Sequence, residues 1–120
     1  IQEVIDYFQK QIDFCRDNGV SKSKIILDPG IGFGKRLNDN FLLIRELKRF
    51  TELGYPVLIG PSRKSFIGLT LALPVEQRFE GTAAAISAGI MNGARIIRVH
   101  DVLEMKRVQI ISDQIRGAIA

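Results

Sequence analysis

The sequence predicts an α/β fold: about three β/α units forming the C-terminal part of a TIM (β/α)8 barrel. Three short apolar runs, Ile25 to Leu27, Pro56 to Ile59 and Arg95 to His100, alternate with stretches of helical spacing. Strands separated by helices imply parallel pairing through crossover connections. Polar residues gather at or just past the end of each run: Asp28 and Lys35, then Ser62, Arg63, Lys64 and Ser65, then Arg98, His100 and Asp101. In α/β folds that edge is where ligands bind. A whole barrel needs about 250 residues, so a chain of 120 residues holds part of one. Three parallel strands alone also leave both sheet edges open to pairing.

The elements follow in order. Val4, Ile5, Phe8, Ile12 and Phe14-Cys15 fall near helical spacing, and Asn18-Gly19 is a stop signal. Ile1-Gln2-Glu3-Val4 has no signal-peptide pattern and no initiator Met and reads as the middle of a helix, so the chain is expected to be a fragment. Ser21 to Lys24 is a polar connector before the first strand. Asn38-Asp39-Asn40 offers a cap for a helix with Phe41, Leu42, Ile44, Leu47 and Phe50 on its apolar positions, ending near Gly54. Pro56 to Ile59 is the second strand, broken by Gly60-Pro61-Ser62. A helix starts near Lys64-Ser65, and Pro74 opens another short segment. Thr82 to Asn92 is a helix of small residues, which permits close approach to a sheet or another helix. Arg95 to His100 is the third strand. Val102 to Ile119 is the last helix, with Val102, Met105, Val108 and Ile111 or Ile115 on one stripe.

The composition, 46% hydrophobic and 25% charged, is that of an ordinary soluble domain with one core. No apolar run approaches the ~20 residues that span a bilayer. The single cysteine, Cys15, cannot form an intrachain disulfide, and a reducing compartment, the cytoplasm, fits it. The net charge of +4 comes from basic residues dispersed along the chain. It favours a small anion such as phosphate over nucleic acid, and no membrane partner is expected.

Ile25-Ile26-Leu27-Asp28-Pro29-Gly30-Ile31-Gly32-Phe33-Gly34-Lys35 is the most informative stretch. An apolar run ends in one carboxylate, followed by a glycine-spaced loop that closes on a cation. It is not a Walker loop: Pro29 stands where the first glycine belongs, and Arg36 replaces Ser or Thr. It is not a dinucleotide loop either, since Lys35 takes the last glycine position. One His and one Cys far apart do not suggest a metal centre, and Ser62 and His100 do not read as part of a nucleophilic triad. Strand alternation puts Arg98 and His100 on one face and Ile97 and Val99 on the other. Two such groups on the barrel-facing side point to an anionic ligand, because an unpaired buried charge is costly. The plainer alternatives are that Asp28 caps its turn, that Arg98 pairs with Asp28 or Asp101, that His100 is a satisfied core residue, and that Lys35 and Arg36 are solvated loop charges.

Asp28-Pro29-Gly30-Ile31-Gly32-Phe33-Gly34-Lys35, Ser62-Arg63-Lys64-Ser65-Phe66-Ile67-Gly68, Glu80-Gly81-Thr82-Ala83-Ala84 and Arg98-Val99-His100-Asp101-Val102 closely resemble dihydropteroate synthases. The resemblance covers essentially the whole chain. It implies that residues 1–120 hold strands six to eight of a pterin-binding barrel whose N-terminal part is absent. It further implies condensation of (7,8-dihydropterin-6-yl)methyl diphosphate with p-aminobenzoate, giving dihydropteroate and pyrophosphate on the folate pathway. On the family pattern, Asp28 accepts the amino-pyrimidine edge of the pterin, two parallel N–H donors meeting two carboxylate oxygens. Lys64 reaches the ring oxygen and nitrogen. Arg98 stacks on the ring and reaches the pyrophosphate, which His100 also binds. Ser65 meets the p-aminobenzoate carboxylate, and Phe33 and Pro61 line its ring. Ser62 and Arg63 are counted with these substrate-binding residues, and Lys64, Arg98 and His100 with the catalytic ones.

The resemblance also implies Mg2+, with its protein ligand outside this segment and no metal site within it. It implies competition by sulfonamides and a homodimer or swapped assembly. The isolated fragment is expected to be inactive. A pterin-dependent methyltransferase shares the pterin-holding Asp but is not expected to carry both SRKS and RVHDV. A non-catalytic oligomerisation module would use Thr82 to Asn92 and the last helix as its contact surface.

Overall fold

A computed structural model describes residues 1–119. Helix α1, Gln2–Asp17, buries Phe8 and Ile12. A 3-10 turn, Lys22–Lys24, follows where the polar connector was expected. The first predicted strand is a single parallel bridge between Leu27 and Val57. Leu27 N–H donates to Pro56 O at 2.9 Å, and Leu58 N–H donates to Leu27 O at 2.8 Å. The predicted helix with its Asn38-Asp39-Asn40 cap begins earlier, at Leu37. Asp39 sits inside the first turn and reaches back to Arg36, whose backbone N–H donates to Asp39 Oδ2 at 3.0 Å. The helix is interrupted at Glu46, giving α2, Leu37–Arg45, and α3, Leu47–Thr51.

Strand β1, Leu58–Ile59, leads to helix α4, Ser65–Leu71, a 3-10 turn, Val75–Gln77, and helix α5, Phe79–Met91. Strand β2, Ile96–Ile97, and helix α6, Val102–Gly117, complete the order. The second and third strands are therefore shorter than the apolar runs that predict them. β1 and β2 are parallel, with Leu58 opposite Ile96 and Ile59 opposite Ile97. Leu27 bridges the opposite side of β1, so the three strand positions lie side by side in chain order. Consecutive parallel neighbours with helices between them are the arrangement of a barrel wall.

Alternation along these strands sets the layers. Leu27, Val57 and Ile59 are buried in one core with Phe8, Ile12, Leu43, Ile44, Leu47 and Phe50 of α1, α2 and α3. The Phe8 and Phe50 rings meet edge to face at 5.7 Å. A second cluster, Ile86, Ile90 and Met105, joins α5 to α6, with Ile97 and Val99 packed on it. The small residues of α5 do allow close approach, since a Cβ at Gly89 would collide with Ile59 Cδ1. The last helix departs from its predicted stripe. Met105 is fully buried and Val108 half-buried, but Val102, Ile111 and Ile115 are about 60–66% exposed, and the next inward position is Ser112. Polar contacts set this rotation: Ser112 Oγ donates to Ser87 Oγ at 2.9 Å, and Arg116 Nη1 donates to Ile90 O at 3.1 Å.

Phe50 is wholly buried where α1, α3 and the strands meet. Phe50→Ala is expected to cost about 3–5 kcal/mol, the price of a large cavity, measured as a shift of the urea unfolding midpoint. A loss below ~1 kcal/mol would place Phe50 outside the cooperative core.

Candidate functional site

Each of the three strand positions ends at the same edge, and the side chains there are held by different means. Asp28 follows the Leu27 bridge and is exposed. Its Oδ1 accepts the Gly30 N–H at 2.9 Å, so it caps its own turn, and Oδ2 has no partner among the described residues. The glycine loop beyond it is tied down from below. Gly32 N–H donates to Oδ1 of the buried Asn40 at 2.7 Å, and Asn40 Nδ2 donates to Arg36 O at 3.1 Å. Lys35 Nζ turns back onto Phe33 O at 2.9 Å, which makes it a loop-closing residue.

Lys64, from the second strand end, lies across this loop. Its Nζ donates to Ile31 O and sits 4.4 Å from the centroid of the Phe33 ring. Gly32 has φ +85°, and a Cβ there would come within 2.6 Å of Lys64 Cδ, so glycine is needed for both conformation and space. Burial pushes the Lys64 ammonium below the ordinary lysine pKa; the Asp28 charge opposes this, while Arg98 and Lys35 add to it. One lysine at the second strand end thus senses charges from the first and the third.

The turn carrying Lys64 is unusual. Arg63 has φ 56°, the left-handed region that a side chain disfavours. Two residues at the entry to α5 hold it there. Arg63 N–H donates to Oγ1 of the fully buried Thr82 at 3.0 Å, and Arg78 Nη1 donates to Arg63 O at 2.9 Å. The Arg78 guanidinium also reaches Leu73 O at 3.3 Å and fills the space that a Cβ at Gly68 would need. Sequence reasoning passed over Arg78 as well as the tie made by Asn40, and gave Thr82 no role. A buried hydroxyl in an otherwise small and apolar helix was the available signal for Thr82.

Side chains of the second strand end grip the third, where the His100 backbone N–H donates to Ser62 Oγ at 3.2 Å. Arg63 Nη2 donates to Asp101 Oδ1 at 2.9 Å, and Ser62 Oγ lies 2.8 Å from His100 Nδ1. Asp101 therefore pairs with Arg63 and not with Arg98. Arg98 N–H continues the ladder to Ile59 O at 2.9 Å, while its guanidinium makes no hydrogen bond or ion pair among the described residues. Arg98 and His100 were expected to be buried on the barrel-facing side; both are exposed. The reason is geometric: in this chain the inner face of three strand positions has no wall opposite it. Pro61 and Ser62 are buried, and Phe33 and Ser65 are exposed, with Ser65 opening α4. Among the described residues no group of three or more His, Cys, Asp or Glu side chains is placed to hold a metal ion.

The chain that carries this lone carboxylate, this lysine over a glycine loop and this uncompensated arginine is similar to known proteins. The family model described as pterin binding enzyme matches residues 1–100, and the chain belongs to that family. Within it the similarity is to dihydropteroate synthases. The Clostridium beijerinckii synthase is 48% identical over 114 residues, covering 94% of this chain and 42% of that protein. The Coxiella burnetii synthase superposes with a TM-score of 0.96 at 40% identity, covering 98% of this chain and 45% of that one. The Yersinia pestis synthase gives 0.94 at 40% identity, covering 98% and 42%. The chain thus spans less than half the length of these relatives.

Thr82→Val keeps the shape but removes the acceptor for Arg63 N–H. It is expected to cost about 1–3 kcal/mol and to accelerate hydrogen exchange at the Arg63 amide above its neighbours. Unchanged exchange there would show that Thr82 does not hold the turn. Lys64 is expected to titrate below the other lysines, followed by its Cε chemical shift. Asp28→Asn should lower it further, because the Asp28 charge favours the ammonium. An upward movement on Asp28→Asn would contradict that coupling.

Proposed function

We propose that this chain forms the pterin- and pyrophosphate-holding part of a dihydropteroate synthase. The reaction is condensation of (7,8-dihydropterin-6-yl)methyl diphosphate with p-aminobenzoate. The observation that carries the reading is the meeting, at one edge, of Asp28 with an open carboxylate oxygen, Lys64 across the glycine loop, and an Arg98 guanidinium without a counter-charge. Support comes from the relatives: the Coxiella burnetii synthase was solved in complex with pteroic acid, and the Yersinia pestis synthase in a sulfonamide drug complex.

In this reading Asp28 receives the amino-pyrimidine edge of the pterin, and Lys64 swings from Ile31 O to the ring oxygen and nitrogen. Arg98 covers the ring and, with His100, takes the pyrophosphate. The bond between the pterin methylene and the diphosphate oxygen breaks, and its electron pair leaves with pyrophosphate. The arylamine nitrogen then forms the new bond to the cationic methylene and loses a proton. No protein nucleophile is required; the residues position the reactants and stabilise charge on the leaving group. Phe33 and Pro61 would flank the p-aminobenzoate ring, and Ser65 its carboxylate, the place for which sulfonamides would compete. Ser62 and Arg63 carry this turn.

The magnesium ion implied by the resemblance is proposed to take its protein ligand from outside these residues. A homodimer is also proposed. It is supported by an apolar groove of about 450 Å³ between α2, α4 and α5, and by exposed Leu103, Ile110 and Ile111 on α6. The cytoplasm is the proposed location, consistent with a cysteine free of disulfide bonding and with the described helices, none of which is long and apolar enough to cross a membrane.

The test uses the whole protein that contains this segment. Arg98→Ala should weaken pyrophosphate about 100-fold, the worth of roughly 3 kcal/mol of charge-assisted hydrogen bonding. Titration calorimetry with pyrophosphate and with the pterin substrate checks this. Unchanged affinity for both would sink the assignment.

A further inference from the structure

Ser62 has a hydroxyl that makes two contacts, both with one residue. It accepts the backbone N–H of His100 at 3.2 Å and lies 2.8 Å from that residue's ring Nδ1. Ser62 itself is 6% exposed. A hydroxyl offers one proton and two lone pairs. The backbone N–H can only donate, so it occupies a lone pair of Ser62 Oγ.

The contact with Nδ1 then has two possible directions. If Nδ1 carried the proton and donated, Oγ would accept twice. Its own proton would have no acceptor among the described residues, in a buried position where that is costly. If Oγ donates to a bare Nδ1, every group is satisfied. Oγ accepts once and donates once, Nδ1 accepts, and the ring proton resides on Nε2. Which nitrogen of a neutral histidine is protonated follows from the hydrogen bond that the other one makes.

We infer that Ser62 is a positioning residue that fixes His100 as its Nε2–H tautomer, so that the ring's outer nitrogen presents a hydrogen-bond donor to an anionic group at the strand edge. The tautomer follows from the hydrogen bonds alone; the identity of the anion as pyrophosphate rests on the proposed function. The opposite tautomer would turn a lone pair toward the leaving group and repel it. The frame is rigid enough for the purpose. Arg63, next to Ser62, is pinned by Thr82 and Arg78 and bonded to Asp101, next to His100. Two adjacent residues on one strand end thus grip two adjacent residues on the other.

His100 is the sole histidine of the chain, so its ring nitrogens can be read without ambiguity. Long-range 15N–1H correlation spectra are recorded on this chain in buffer alkaline enough to leave the imidazole uncharged. The expected spectrum has Nδ1 at a pyridine-like shift and Nε2 at a pyrrole-like shift. In Ser62→Ala both should move toward the averaged values of free imidazole, and Ser62→Thr, which keeps the hydroxyl, should restore them. A pyrrole-like Nδ1 in the unaltered chain overturns the inference whether or not the variants fold. So does a Ser62→Ala spectrum identical to that of the unaltered chain. Pyrophosphate is then titrated into the whole protein that contains this segment, where His100→Asn identifies the His100 ring signals by their loss. It should perturb Nε2, with affinity about tenfold weaker in Ser62→Ala. A fixed Nε2–H tautomer that ignores pyrophosphate would overturn the leaving-group role and, with it, that part of the proposed function, while the tautomer assignment would stand.

Discussion

The parallel register between consecutive strands is the constraint on which everything else rests. Leu27 opposite Val57, and Leu58 opposite Ile96, leave no freedom in which side chains face the helices and which face inward. Val57 and Ile59 must lie in the helix-side core, so Leu58 and Gly60 must face the other way. Arg98, two residues beyond Ile96, lands beside Gly60, where an added Cβ would be 3.6 Å from the arginine's own Cβ. A slip of one residue would send Arg98 and His100 into the helix layer and bring Ile97 and Val99 to the ligand edge. The burial of two β-branched residues and a leucine therefore fixes the address of a guanidinium and an imidazole.

The second strand end departs from this economy, because its turn is held by side chains and not by the ladder. Arg63 occupies a left-handed conformation at a cost of about 1–3 kcal/mol. The compensation comes from Thr82 and Arg78, residues far along the chain at the head of α5. That places Ser62 beneath His100 and sends Lys64 across the glycine loop. In the proposed reaction the same strained turn serves the pterin through Lys64, the arylamine through Ser65 and the leaving group through Ser62 beneath His100.

Much of this was legible in the sequence, for identifiable reasons. The helical spacing of α1, the breaks at Gly60-Pro61 and Asn92-Gly93, and the polar strand ends are local signals, and the structure has them where they were read. The strand lengths were overread: Ile25 to Leu27 is apolar enough for a strand, but only Leu27 is paired, because ladder length depends on the neighbour and not on the run itself. The stripe on α6 was misplaced because Ile111 and Ile115 look like core residues, whereas Ser112 and Arg116, through Ser87 and Ile90 O, decide which way the helix turns. Arg78 and Asn40 were illegible for a related reason. Their bonds are to backbone groups of distant or differently read segments, and a side chain bonding a main-chain atom leaves no periodic trace.

The exposed charges carry the remaining physical argument. Asp101 is the nearest acid in sequence to Arg98, and pairing the two would have neutralised the edge. Its commitment to Arg63 leaves Arg98 and the partly desolvated Lys64 against a single carboxylate, Asp28, which already spends one oxygen on its own turn. Cations kept apart from available acids raise one another's energy: burial is the main cause that disfavours the Lys64 ammonium, and Arg98 and Lys35 add to it. In the proposed function, a multiply charged anion would relieve that repulsion. A neutral or singly charged ligand would relieve it less. In the proposed function, the pattern of ion pairs, and not the number of basic residues, is what would fit this edge to a diphosphate.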